Sequence, residues 1–222
     1  QARLGDMVSE SQASKKHTLL MRILHAQSKS VLKTDPAQSL ALLLEAGKYI
    51  DVTKTNPVLL VDFANALLES GQDKSGEDLL RDTLRWNPRA IQKDRILSSL
   101  GDIEFRHGKE KAALDYYTRF EKETLGSAIF GETMLKYARL LKKRGNNAET
   151  LRVLDAVLAF PSTKGKEKAE ALVTIGDIHL ANGKPEMAIP YYQRVYVMHG
   201  QWKPWVAKAY LRSGEAFEQI KD

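Results

Sequence analysis

A chain of 222 residues with 43% apolar and 28% charged side chains can bury a sizeable core, which excludes global disorder. No apolar run approaches the roughly 18–20 residues that a membrane-spanning helix needs; LALLLEAG at 40–47 is far shorter. The lack of cysteine excludes disulfides, thiolate catalysis and cysteine-based zinc sites, and the formal net charge of +6 reads as a surplus of solvated lysines.

The N-terminal stretch QARLGDMVSESQASKKH has no apolar core of a secretory signal and no starting Met. An upstream leader or anchor that has been removed is one expectation. Together with the absence of cysteine it favours a bacterial periplasm or envelope over a cytoplasm. The compartment itself is not legible.

From about residue 20 onward the chain repeats. IGDIHLANGKPEMAIPYYQRV at 175–195 restates LGDIEFRHGKEKAALDYYTRF at 100–120, in register. A marker position recurs at Thr34, Gly71, Gly108, Gly145 and Gly183, in steps of 37, 37, 37 and 38 residues. Seven residues before each glycine marker stands a small residue, Ala64, Gly101, Ala138 or Gly176. Gln27 is the exception, and Gly214 continues the series.

Apolar residues on both sides of each marker fall at helical spacing, as Leu172, Ile175 and His179 before Gly183 and Ala188, Tyr192 and Val195 after it. A glycine closing the first stretch suits a helix C-terminus in the left-handed region. Pro36 and Pro185, just after markers, suit a first helical turn. Each unit is therefore helix–turn–helix, at roughly 20–56, 57–93, 94–130, 131–168 and 169–206, with a terminal helix at 207–220. That predicts one all-α domain over 1–222 in which neighbouring pairs bury each other's apolar faces.

The residues Leu97, Leu100, Gly101, Gly108, Ala113 and Tyr117, and again Leu172, Ile175, Gly176, Gly183, Ala188 and Tyr192, resemble the tetratricopeptide repeat (TPR) family. The unit at 57–93 carries Leu60, Phe63, Ala64, Leu67, Gly71, Gly76, Leu80 and Pro88. The unit at 131–168 puts Thr150 where the family has a small Ala. The resemblance implies a right-handed α-solenoid of antiparallel helix pairs, a TPR-like superhelix. The family unit is 34 residues, so the extra residues here are expected late in the second helix or in the loop after it.

Chemistry is not indicated. The five histidines are scattered without metal-ligand spacing, and there is no phosphate-binding glycine loop or nucleophile elbow. Asp102 and Asp177 recur because the repeat recurs, which points to architecture or a groove. One tyrosine of each pair, Tyr116–Tyr117 and Tyr191–Tyr192, reads as the core aromatic. Trp202 and Trp205 read as a staple at the entry of the last helix. The basic clusters at 141–145 and 163–168 fall at different ends of a helix pair, so no nucleic-acid stripe is expected, and an RNA-binding helical repeat is the lesser alternative. No catalytic residue, cofactor or metal is predicted.

The resemblance further implies that first helices line a concave groove. Residues three before and four after each small position are then expected in it, with a polar residue one after. The candidates are Val61, Asn65, Leu68, Asp102, Phe105, Arg106, Leu135, Arg139, Val173 and Asp177. Apolar patches alternating with polar groups suit a peptide or an amphipathic helix. The carboxylate-clamp specialisation is excluded: only Asn65 fits it, Val61 stands where its first lysine would be, and Ser98 and Asp102 replace other contacts. The expected function is a non-catalytic protein–protein interaction scaffold, the alternative an extracytoplasmic assembly factor of a bacterial envelope complex. A homo-oligomer stays open.

Overall fold

The computed structural model describes residues 2–221, with side chains from residue 15 onward. These residues form eleven α-helices and no strand, and helix makes up 78% of the chain. They divide into two compact units, residues 1–107 and 108–222.

The first unit holds α1 (Ala2–Val31), α2 (Pro36–Gly47), α3 (Pro57–Glu69), α4 (Asp73–Trp86) and α5 (Lys93–Arg106). α1 packs on α2, α3 on α4 and α4 on α5. Two starts are set by local chemistry. The side chains of Asp35 and Asn56 accept the backbone N–H groups of Gln38 and Val58, each at 2.9 Å, and Pro36 and Pro57 follow where a helix needs no donor. The α1–α3 core joins Met21, Leu43, Ala46, Phe63 and Leu67, flanked by Leu24, Tyr49 and Leu59.

The second unit holds α6 (Glu110–Glu123), α7 (Phe130–Lys143), α8 (Asn147–Ala159), α9 (Gly165–Ala181), α10 (Pro185–Met198) and α11 (Lys203–Lys221). Here α7 pairs with α8 and α9 with α10, while α11 packs on both α9 and α10. The core gathers Ala169, Leu172, Val173, Ala188, Tyr192, Val195, Ala209 and Ala216, all buried, with Trp202 and Trp205 packed at its edge. Burying each of the large apolar side chains contributes on the order of 1.5–3 kcal/mol.

The turn glycines close their helices as the periodicity requires. Gly71, Gly108, Gly145 and Gly183 have φ of 77°, 72°, 73° and 66°. At three of these turns the residue after the glycine donates its N–H back across the turn in the same way: Gln72 to Leu67 at 2.9 Å, Asn146 to Leu141 at 3.0 Å and Lys184 to His179 at 3.0 Å. This double-bonded helix ending needs a left-handed residue at its corner.

Turns inside a pair are short (70–72, 144–146, 182–184), whereas the segments between pairs are longer (87–92, 124–129, 160–164). The residues beyond the family unit therefore lie after the second helix. Thr150, at the place of a small Ala, is buried with its hydroxyl donating to the Asn146 carbonyl of its own helix at 2.7 Å, so the larger residue brings no orphaned polar group.

Candidate functional site

The first helices are taken unit by unit: α3 and α5 in the first unit, and α7, α9 and α11 in the second. Three of the sequence-derived residues are not available to a partner. Val61, Leu135 and Val173, each three before the small position, are buried. In the second unit neighbouring first helices pack directly, α7 on α9 and α9 on α11. A first helix in a stacked array is covered on two flanks, so the strip left open is narrower than one helix taken alone would present. Leu68 is half-buried, because its side chain fills the space over Gly76, where an added Cβ would lie 2.7 Å from Leu68 Cγ. The expected apolar patches are thus largely internal, and this part of the groove reading is corrected.

In the first unit the open strip carries Asn65, Asp102, Phe105 and Arg106. Asn65 is half-buried with the Ser99 hydroxyl 3.5 Å from its Oδ1, and Asp102 is half-buried. Phe105 is 42% exposed. Arg106 is exposed, 3.5 Å from the Asp73 carboxylate. Nearby, Arg81 holds the buried Glu104 carboxylate and also reaches Glu77 at 2.8 Å.

In the second unit the polar residues are consumed in ties between successive first helices. Arg139 of α7 grips the buried Glu170 of α9, its Nε donating at 2.8 Å. Asp177 of α9 accepts the Tyr192 hydroxyl at 3.1 Å and meets Lys208 Nζ at 3.0 Å and Arg212 Nε at 3.4 Å on α11. Burial first, and the Asp177 carboxylate second, push the Tyr192 hydroxyl well above the usual phenol range, so it acts here as a fixed donor. A cavity of about 240 Å³ opens beside this cluster, lined by Asp177, Leu180, Ala181, Arg212, Glu215 and Gln219.

Sequence reasoning passed over Glu104, Glu170, Lys208 and Arg212. A signal for them exists: opposite charges recur a little under one repeat apart. Arg139 and Glu170 are separated by 31 residues, and so are Glu121 and Arg152, whose guanidinium binds that carboxylate at 2.8 Å through both terminal nitrogens. Other expected packing roles are in place. Tyr117 and Tyr192 are buried, and the His179 ring stacks on Tyr191 with centroids 5.5 Å apart. The basic cluster at the end of α7 is turned to packing as well, Lys143 reaching Glu110 of α6 at 2.8 Å.

Among the described residues no group of histidines, aspartates or glutamates is placed to hold a metal ion, and no helix is long and apolar enough to cross a membrane.

No protein-family model matches the sequence, and no curated protein does. Solved structures do match. A crystal structure of MamA protein aligns at TM-score 0.59 and 17% identity over 75% of this chain and 83% of that one. MamA from Desulfovibrio magneticus RS-1 aligns at TM-score 0.61 and 13% identity, over 82% and 96%. The Podosopora anserina putative kinesin light chain, with nearly identical TPR-like repeats, aligns at TM-score 0.59 and 15% identity, over 82% and 95%. Identities this low carry the fold and nothing further. With the periodic glycine turns and paired helices, they establish that this chain has the all-α, TPR-like helical-repeat fold of an α-solenoid.

Proposed function

We propose that the chain is a non-catalytic scaffold that binds a protein partner, as a peptide or an amphipathic helix, on the open strip of its first helices. The observation that carries this reading is Phe105. It is a large aromatic left 42% exposed on α5, one turn from Asp102 and beside Arg106, on a helix whose other large apolar residues are buried. Aromatic anchors of this kind, ringed by polar groups, concentrate binding energy at protein interfaces.

The recurring polar residues support the same reading from another side. Asp177, Glu170 and Glu104 are engaged in ties between helices, which leaves them as structural members rather than free acids or bases. The ties also hold the strip rigid, so a partner would pay little to order it. Asn65, Asp102 and Arg106 are its candidate polar contacts in the first unit, whereas Arg139 and Asp177 are engaged in ties within the second.

The reading is tested by selecting binding peptides from a display library and measuring their affinity for variants. Phe105→Ala is expected to weaken selected peptides by about fivefold or more, equivalent to about 1 kcal/mol, with an unchanged thermal melt. Met187→Ala, an exposed apolar residue of α10, is expected to leave them unaffected. Peptides that bind wild type and Phe105→Ala equally would remove the partner from this strip.

A further inference from the structure

The corner between α4 and α5 differs from the corner one repeat earlier in the same unit. A step of 37 residues sets Lys48 against Arg85, Tyr49 against Trp86 and Lys54 against Ile91. In the earlier corner these residues are engaged. Lys48 pairs with Glu45 and Lys54 with Asp51, while Tyr49 and Ile50 pack against the α1–α3 core. In the later corner Trp86 is 58% exposed and Ile91 92% exposed.

Both are held out on an ordered frame. The Ala90 N–H donates to the Asn87 carbonyl at 2.9 Å and the Lys93 N–H to the Ala90 carbonyl at 3.0 Å. These are two linked tight turns, with Pro88 at the second position of the first, where a turn favours it. An open cavity of about 590 Å³ is lined by Pro57, Asn87, Pro88, Arg89, Ala90 and Ile91, so Arg89 and Ile91 border one opening. The Arg85 guanidinium lies over the Trp86 ring, 6.0 Å from its centroid.

The cations of this corner are likewise unengaged. Residues 85–93 include Arg85, Arg89 and Lys93 and no carboxylate, and Asp94 and Arg95 follow. Arg85, Arg89 and Arg95 are exposed, and among the described residues no carboxylate pairs with any of them. Arg81, one turn inside α4, shows the alternative: it holds both Glu77 and Glu104.

We propose that this corner is a contact for a negatively charged lipid surface, with Trp86 and Ile91 entering the boundary between headgroups and acyl chains and Arg85, Arg89 and Arg95 meeting lipid phosphates around them. An indole has an apolar body and one polar edge, which suits that depth. A guanidinium fork matches phosphate oxygens. An acidic peptide meets the same cations, yet the large apolar groups here stand out in solvent. That suits entry into a soft phase better than reception of a partner's anchor.

Lys93, where α5 begins, and Phe105 are separated by about 18 Å along the helix axis. The contact is therefore separate from the strip of first helices and does not rest on it. Each cation beside an anionic leaflet contributes about fivefold to partitioning. A few cations with two apolar side chains make a reversible contact that weakens as salt screens it.

The experiment is co-sedimentation of the chain with vesicles of phosphatidylcholine alone, and of phosphatidylcholine with about one-third phosphatidylglycerol. Binding is expected to the second kind and not the first, and it is expected to fall as salt rises from about 0.05 to 0.5 M. Arg89→Glu is expected to weaken it by about tenfold or more, and Trp86→Ala by about fivefold or more. Lys74→Glu makes the same charge change on an exposed residue at the opposite end of α4 and is expected to keep wild-type binding. Tryptophan emission is expected to move to shorter wavelength on the anionic vesicles, and Trp86→Phe to lose that shift. Helicity and melting are measured on the same samples. A chain that sediments with neither vesicle overturns the proposal and leaves the corner to an acidic protein partner. Equal binding to both vesicles, or binding that Arg89→Glu and Trp86→Ala leave unchanged, overturns it as well.

Discussion

α9 and α11 occupy equivalent places in the repeat and meet opposite fates. In α9, Leu172, Val173 and Gly176 are sealed by α10 on one side and by α7 and α11 on the other. In α11, Tyr210, Leu211 and Gly214 stand open to solvent. The two helices share a register, so the difference cannot come from which residues are apolar. It comes from how many neighbours cover each flank. In a repeat fold the same position is core in one copy and surface in another, and the stability cost of changing it should follow coverage rather than residue type.

The largest contrast lies in the aromatic rings. Tyr192→Ala is expected to cost about 3–5 kcal/mol, as for other fully buried aromatics, because it empties the space over Gly176 and removes the donor to Asp177. Tyr210→Ala, at a solvent-facing place with one stacking partner, is expected to cost under about 1.5 kcal/mol. Chemical denaturation of dilute samples measures both. Equal losses would break the comparison.

The glycines give the next contrast. Gly176→Leu is expected to destabilise by about 1–3 kcal/mol through overpacking against Tyr192. Gly214→Leu is expected to stay within about 0.5 kcal/mol of wild type, or to gain slightly from better helix propensity. Thermal melts of the two single variants decide this. A Gly214→Leu variant as damaged as Gly176→Leu would break the comparison.

The smallest effect is a pH dependence to which the buried His25 contributes. His25 of α1 is buried, edge-on to Phe63 at 5.6 Å, and its Nε2 has no hydrogen-bond partner among the described residues. Burial first, and Lys29 second, lower its pKa below the ordinary histidine value, with Asp62 partly opposing. The unfolded chain then takes up the proton more readily than the folded one. Stability is therefore retained above the unfolded pKa and lost as pH falls through about 6.5 toward the lower folded value. Melts between about pH 7.5 and 5.5 should show this loss, and His25→Leu should flatten it. A slope unchanged in His25→Leu would assign the titration to another group.

The candidate site was only partly legible beforehand. Asn65, Asp102, Phe105, Arg106, Arg139 and Asp177 lie on first helices with some exposure, and helical phase alone settles which side of a helix they share. Val61, Leu135 and Val173 were misassigned for a physical reason. Phase counted from one helix pair identifies the flank that meets its own second helix, but not the flank that meets the next first helix. The ties of Arg139 to Glu170 and of Asp177 to Lys208 and Arg212 lie on that second flank, and they connect residues some 31–35 positions apart.

By itself the sequence determined the period, the helical identity of each segment and the turn at each glycine. These depend on spacing within a few residues, on proline and capping side chains, and on the left-handed φ that glycine takes at least cost. Only the tertiary structure decided which repeated positions are core and which are surface. That depends on the offset at which one helix pair stacks on the next, which closes one flank of α7 and α9 and leaves Phe105, Tyr210, Leu211 and Phe217 in solvent. The offset is set by contacts between residues about a repeat apart, such as the grip of Arg139 on Glu170 and of Lys208 and Arg212 on Asp177. No local pattern encodes it.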